Sequence, residues 1–172
     1  MKNRETIQIE TLAIGGAGVG KIVDSQNPKN IGKIGFVPFS IPGELLAISI
    51  EEEKPRYFTG RVDSVLKSSI DRITPECRYF TVCGGCDLQH INFKKQLILK
   101  KNLIIEGLKK GGFESTVISK VKDLIYGKEY NYRRRISLHV DENQNVGFYE
   151  RSTNKIVNID RCLISSERIN II

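Results

Sequence analysis

The sequence predicts a mainly β chain with one α-helix: a small closed β-barrel, then a small α+β domain ending in an antiparallel meander. Three observations predict it. Five short β-prone pieces separated by Gly and Pro fill the stretch from Thr6 to Leu66, a density that suits a small barrel. Asn92 to Gly111 is the one stretch with sustained helical periodicity. From Tyr132 onward the apolar period becomes two, interrupted twice by polar turns.

Thr6 to Ile14 alternates through Ile7, Ile9, Leu12 and Ile14 as a half-buried strand does. Gly15, Gly16, Gly18 and Gly20 follow. They do not spell the dinucleotide fingerprint G-x-G-x-x-G, because position 21 is Lys, and Pro28 keeps the following residues from opening a long helix. These glycines are expected in a turn or bulge between barrel strands, with close approach of an RNA backbone as the alternative. Lys21–Val23 and Lys33–Val37 are the next short strands. Pro38 and the run Ile41-Pro42-Gly43-Glu44 punctuate before strands at Leu45–Ile50 and Tyr57–Leu66.

In the helix, Phe93, Leu97, Ile104 and Leu108 are expected on one face with Ile98 and Ile105 beside them. Asn92 supplies an N-cap, and Gly111-Gly112 a stop. In the meander, Tyr132, Arg134, Ile136, Leu138 and Val140 are expected on one side. Arg133, Arg135, Ser137 and His139 fall on the other, a row of arginines on one strand face. Val146–Arg151 and Ile156–Ile159 are the returning strands.

With 172 residues, 40% hydrophobic and 27% charged, the chain has room for one ordinary domain or two small ones and is globular in composition. No apolar run approaches the roughly 18 residues of a membrane span, and the N-terminus shows no apolar leader. A cytoplasmic protein is expected, where cysteines serve as ligands or nucleophiles more often than as disulfides. Residues 1–60 are balanced in charge, so the net +7 belongs to the remainder, and Lys94 to Arg135 alone carries a local +8. A concentrated basic stretch is the footprint of a polyanion, or else a solvated lysine face. The triplet Arg133-Arg134-Arg135 points to nucleic acid, since a guanidinium forks onto phosphate and stacks on bases.

Cys77, Cys83 and Cys86 form C-x5-C-x2-C with Gly84-Gly85 inside the short spacing, and Cys162 follows 76 positions later, just beyond the last meander strand. Three cysteines within ten residues fit coordination of a soft metal centre better than a lone catalytic thiol. The paired glycines let backbone N–H groups turn towards sulfur. An iron–sulfur cluster completed by Cys162 and a zinc ion completed by Cys162 or His90 are the competing readings, with a disulfide or free thiols behind them.

The order of motifs carries a resemblance. Gly15-Gly-Ala-Gly-Val-Gly-Lys21, Phe36-Val-Pro-Phe-Ser-Ile-Pro-Gly-Glu44 and Cys77-x5-Cys83-Gly-Gly-Cys86-Asp-Leu-Gln-His90 come first. Tyr132-Arg-Arg-Arg135 and Gly147-Phe-Tyr-Glu-Arg151, leading to Ile159-Asp-Arg-Cys162, follow. Together they resemble the iron–sulfur branch of the RNA uracil-C5 methyltransferases, S-adenosylmethionine-dependent enzymes of ribosomal and transfer RNA. The resemblance implies that residues 1–68 are a TRAM domain, an OB-like RNA-binding barrel. It implies that residues 69–172 are an iron–sulfur central domain, with a helix near 92–111 and a meander near 131–160. Cys77, Cys83, Cys86 and Cys162 would ligate one [4Fe–4S] cluster.

The implied partner is structured RNA, ribosomal ahead of transfer RNA, with Tyr132, Arg133, Arg134, Arg135 and Lys21 as its candidate contacts. Tyr132, Phe148 and Tyr149 offer rings for base stacking, against the commoner packing role of meander aromatics. In the family the cofactor fold, the general base and the attacking cysteine follow this region. With all four cysteines assigned as ligands, no catalytic or cofactor-binding residue is expected here. The chain alone is expected to be inactive, with S-adenosylmethionine bound in a further domain or on a second polypeptide. The alternative is a stand-alone, non-catalytic RNA-binding iron–sulfur protein.

Overall fold

The computed structural model describes residues 4–170. Lys2, counted in the charge balance, and the expected domain ends at 1 and 172 lie outside the described residues. The chain forms two compact units, each built from two separated stretches: Met1–Ile73 with His90–Val121, and Thr74–Gln89 with Lys122–Ile172.

The first unit holds the barrel. Strands β1 (Arg4–Leu12), β2 (Gly18–Asp24), β3 (Ile34–Val37), β4 (Leu45–Glu53) and β5 (Tyr57–Lys67) close in the order β1-β2-β3-β5-β4, with β4 returning to β1. Every neighbour is antiparallel except β3 and β5, which run parallel. This is the OB-like topology. Alternation drives closure: Ile7 and Ile9 of β1, Ile22, Val37, Leu46, Ile48 and Phe58 point inward as one buried cluster. A register shift between Ile9 and Thr11 returns Leu12, rather than Thr11, to the interior.

The glycine run serves the barrel in two ways. Gly15 and Gly16, at φ 98° and 88°, make the β1–β2 turn that a side chain would strain. Gly20 instead faces inward, where a Cβ would collide with the Gln8 carbonyl oxygen. Gly35 of β3 has the same character, since the Phe58 ring lies where its side chain would be.

Helix α1 (Phe93–Lys110) starts on Asn92, whose side chain accepts from the Lys94 N–H at 3.0 Å, and stops at Gly111. It was expected with the second domain, yet it lies in the first compact unit. Local contacts tie its start to the chain leaving the barrel: Asn92 N–H donates to Asp71 O at 2.8 Å, and Lys95 pairs with Asp71 at 3.1 Å. Its buried side also differs from expectation. Gln96 and Leu99 are its buried residues, while Ile104 is 46% exposed. The Gln96 amide donates to Ile91 O at 2.9 Å, so this polar residue turns inward at the N-terminus and rotates the buried face onto Leu99. A short second helix, α2 (Ser115–Ile118), follows.

The second unit carries a three-stranded antiparallel sheet, β6 (His139–Val140), β7 (Val146–Tyr149) and β8 (Ile156–Asn158), in that order. The meander expected from the alternation is present, but its first strand is short. Residues 132–138 form no strand beside β7, so the arginine row is not a sheet face. The reason lies at the edge of β7. Gly147 pairs with His139, but farther along the same edge the cysteine loop takes over. Gly84 N–H donates to Tyr149 O at 2.9 Å and Arg151 N–H to Val82 O at 3.1 Å, around a Cys83–Glu150 bridge. The arginine segment pairs elsewhere: Arg133 N–H donates to Ile164 O at 2.8 Å and its carbonyl accepts from Ser166 N–H at 2.8 Å.

Candidate metal centre

The pairing of the cysteine loop with β7 explains how thiols far apart in sequence meet. Cys77, Cys83, Cys86 and Cys162 together line one cavity of about 70 Å³ in the second unit. Cys83 sits on the bridge to Glu150, and Cys86 lies one turn farther on. The Arg151 guanidinium holds that turn, donating to Cys86 O at 3.2 Å and to the Asp87 carboxylate at 2.5 Å. Cys162 enters from the stretch after β8. Tyr79 and Asp160 fasten the two stretches, the phenol donating to the carboxylate at 2.5 Å. Arg78 completes that link on Asp160 at 2.6 Å.

The thiols sense one another. Burial pushes the Cys83 and Cys86 thiols above the ordinary cysteine range, and the charges of the neighbouring thiols push the same way. Two hydrogen bonds oppose this. Gly85 N–H donates to Cys83 Sγ at 3.4 Å, and the Gln89 side chain hydrogen-bonds Cys86. Of the two glycine N–H groups expected to turn towards sulfur, Gly85 does so while Gly84 serves the sheet edge. A cavity that opposes ionisation of Cys83 and Cys86 suits an occupant that supplies positive charge.

Among the described residues, no group of three or more His, Cys, Asp or Glu side chains is placed so as to hold a metal ion. His90, the alternative zinc ligand, does not line the cavity. It belongs to the first unit, 2% exposed, with Nε2 3.4 Å from Ser40 O and its ring edge-on to Phe39.

The candidate RNA contacts divide between the two units. Lys21 is exposed on β2 of the barrel. Tyr132, Arg133, Arg134 and Arg135 are exposed in the second unit, where Arg133 also reaches the lining of the thiol cavity. Phe148 lines that cavity too, and the Tyr149 ring stacks on His139 with centroids 4.0 Å apart. Phe148 thus packs within the unit, whereas Tyr149 stays 40% exposed beside His139. Residues the motifs did not point to are Gln89, Arg151 and Asn170. Gln89 and Arg151 both stand inside quoted motifs, which gave them no role, and Asn170 carries no sequence signal of its own.

Comparison with known proteins bears on what this arrangement belongs to. No protein-family model matches the chain. An uncharacterized RNA methyltransferase of Aquifex aeolicus is 35% identical over 170 residues, covering 95% of this chain and 36% of the relative. The 23S rRNA (uracil(1939)-C(5))-methyltransferase RlmD of Halomonas elongata is 34% identical over 163 residues, covering 94% of this chain and 32% of that enzyme. The chain matches the N-terminal portion of RNA uracil-C5 methyltransferases. It spans about a third of the length of the curated relatives it matches. The fold is shared with the crystal structure of Pyrococcus abyssi tRNA (uracil-54, C5)-methyltransferase in complex with S-adenosyl-L-homocysteine. That likeness has a TM-score of 0.60 at 24% identity, over 95% of this chain and 34% of that one. The match to the family thus runs through barrel, helix and cysteine loop alike. Among the described residues no helix is long and apolar enough to cross a membrane.

Proposed function

We propose that this chain is the RNA-recognition portion of an S-adenosylmethionine-dependent RNA uracil-C5 methyltransferase, with the barrel as its TRAM domain and the second unit built around a [4Fe–4S] cluster. The single observation that carries this reading is the gathering of Cys77, Cys83, Cys86 and Cys162 around one cavity, in a chain similar throughout to enzymes of that name. Four thiolates would hold the cluster and staple the cysteine loop to the C-terminal stretch. The cluster would supply positive charge that keeps those thiolates ionised at neutral pH. Arg133, Arg134 and Arg135, together with Tyr132 and the barrel's Lys21, would hold the phosphate backbone of folded RNA, ribosomal RNA being the substrate of the named bacterial relative. The methyl donor and the groups that attack the base are assigned to residues outside these 172.

The test is a titration of the anaerobically iron- and sulfide-loaded chain with a folded ribosomal RNA fragment across a range of potassium chloride. Four irons per chain are expected, with affinity falling steeply as salt rises. Arg133→Ala and Arg135→Ala should each flatten the salt slope by about one. A zinc-bearing, colourless protein would remove the cluster, and salt-independent or absent binding would remove the RNA role. Methyl transfer by the chain alone would overturn the placement of catalysis elsewhere.

A further inference from the structure

Cys162 differs from the other three thiols in how it is held. Cys77, Cys83 and Cys86 share one loop, whose 82–86 stretch is pinned to β7 and to Arg151. Cys162 arrives alone, beyond the end of β8, with the sheet already left behind. One side chain grips it from both sides. Cys162 N–H donates to Asn170 Oδ1 at 3.0 Å, and Asn170 Nδ2 donates to Cys162 O at 3.1 Å. A primary amide has one acceptor and one donor end, and here each end takes the complementary backbone group of the same residue.

That pair of hydrogen bonds fixes the peptide planes on either side of the Cys162 Cα and so the direction of its Cβ, from which the sulfur is carried. The grip is itself braced. Asn170 sits in a turn whose N–H donates to Glu167 O at 3.1 Å, and Glu167 pairs with Arg161, the residue next to the cysteine, at 2.7 Å. Ser165 N–H adds a further bond to Cys162 O at 3.0 Å.

We infer that Asn170 is the positioning residue that holds Cys162 as the fourth ligand of the metal centre, so that its loss loosens one corner of the cluster before the others. The inference rests on the metal-centre reading above. Outer partners of metal ligands commonly govern metal retention by about 10–100-fold. With Asn170 gone, the three loop thiols keep all their supports, while Cys162 loses the partner of its N–H and keeps only the Ser165 bond to its carbonyl.

The experiment compares wild type, Asn170→Ala and Asn170→Asp, each loaded anaerobically, under mild oxidation by ferricyanide. Ferricyanide takes one electron from [4Fe–4S]²⁺, and the resulting [4Fe–4S]³⁺ releases one Fe²⁺ to leave [3Fe–4S]⁺. The rise of the [3Fe–4S]⁺ electron paramagnetic resonance signal times the loss of the slack corner. Asn170→Ala is expected to lose that iron about tenfold faster than wild type. Asn170→Asp keeps the acceptor for Cys162 N–H but loses the donor to its carbonyl, and is expected to fall between the two. Far-UV circular dichroism and the melting midpoint identify folded variants. A variant that folds like wild type yet loses iron at the wild-type rate overturns the inference. If Asn170→Ala does not fold, Asn170→Asp decides alone by the same criterion. A wild-type chain that takes up no iron would instead sink the metal-centre reading, and this inference with it.

Discussion

Glu44 is fully buried, and only because Arg72 meets it is that tolerable. The guanidinium forks onto the carboxylate, Nε to Oε1 and Nη2 to Oε2 at 2.6 Å each, and also donates to Phe39 O at 2.9 Å. Ile41 N–H and Ser69 N–H satisfy the remaining lone pairs. Burial alone would raise the carboxyl's pKa, but the Arg72 fork and these two N–H groups outweigh it and hold the pKa below the ordinary glutamate value. The stabilisation is therefore complete above the unfolded-state pKa and fades as pH falls through the lower folded-state one. Glu44→Gln leaves a guanidinium that is 24% exposed facing a neutral amide, a loss of about 2–3 kcal/mol at neutral pH. Urea midpoints of wild type and variant should differ most near pH 7, and the gap should narrow as pH falls below the ordinary glutamate range. A gap that stays constant across that range would show that charge is not what holds the pair.

At the scale of elements, the five barrel strands were legible because each puts its apolar residues on one face, and a slip of one position would turn Ile7, Ile9 and Ile48 to solvent. The helix was legible through Asn92 and Gly111. Its buried face was not, because Gln96 reads as polar until its amide finds Ile91 O. The arginine strand satisfied the same period-two rule as the others and still did not form. Alternation reports which side chains could share a face, not which segment wins the open edge of β7, and there Val82–Gly84 comes from some sixty residues away.

Close packing inside the barrel was equally silent in the sequence. Gly35→Ala should force the Phe58 ring out of its seat, costing about 1–3 kcal/mol. Phe58→Leu should cost a similar amount on its own. The double variant Gly35→Ala/Phe58→Leu should then be more stable than the sum of the two losses predicts, measured by denaturant melts. Strict additivity would mean that the two positions do not compete for one space.

At the scale of the molecule, the cysteine loop is an excursion from a closed ladder. The chain leaves the first unit at Ile73 and returns at His90, and the two ends are paired: Ile73 N–H donates to His90 O at 3.0 Å beside the Arg72–Ile91 bridge. Replacing residues 74–89 by Asn-Gly should close a two-residue hairpin on that ladder. The first unit is then expected to melt as before while the chain takes up no iron, followed by circular dichroism and metal analysis. Collapse of the barrel's transition would show that it depends on the excursion. At this scale spacing alone marked Cys77, Cys83 and Cys86 as a group, and the family resemblance added Cys162. The residues that seat them, Arg151 on the loop and Asn170 on Cys162, act through backbone groups that any residue would offer.

The alternating path also sets a timetable. A chain growing from its N-terminus exposes Cys77, Cys83 and Cys86 early, and Cys162 only 76 residues after Cys86. At about 5–20 residues per second that is a wait of roughly 4–15 s. By then the barrel strands and α1 have all been made, since every residue of the first unit precedes residue 122. The three early thiols spend that interval as an incomplete claw. Whatever fills the cavity is locked in only once the stretch bearing Cys162 has emerged.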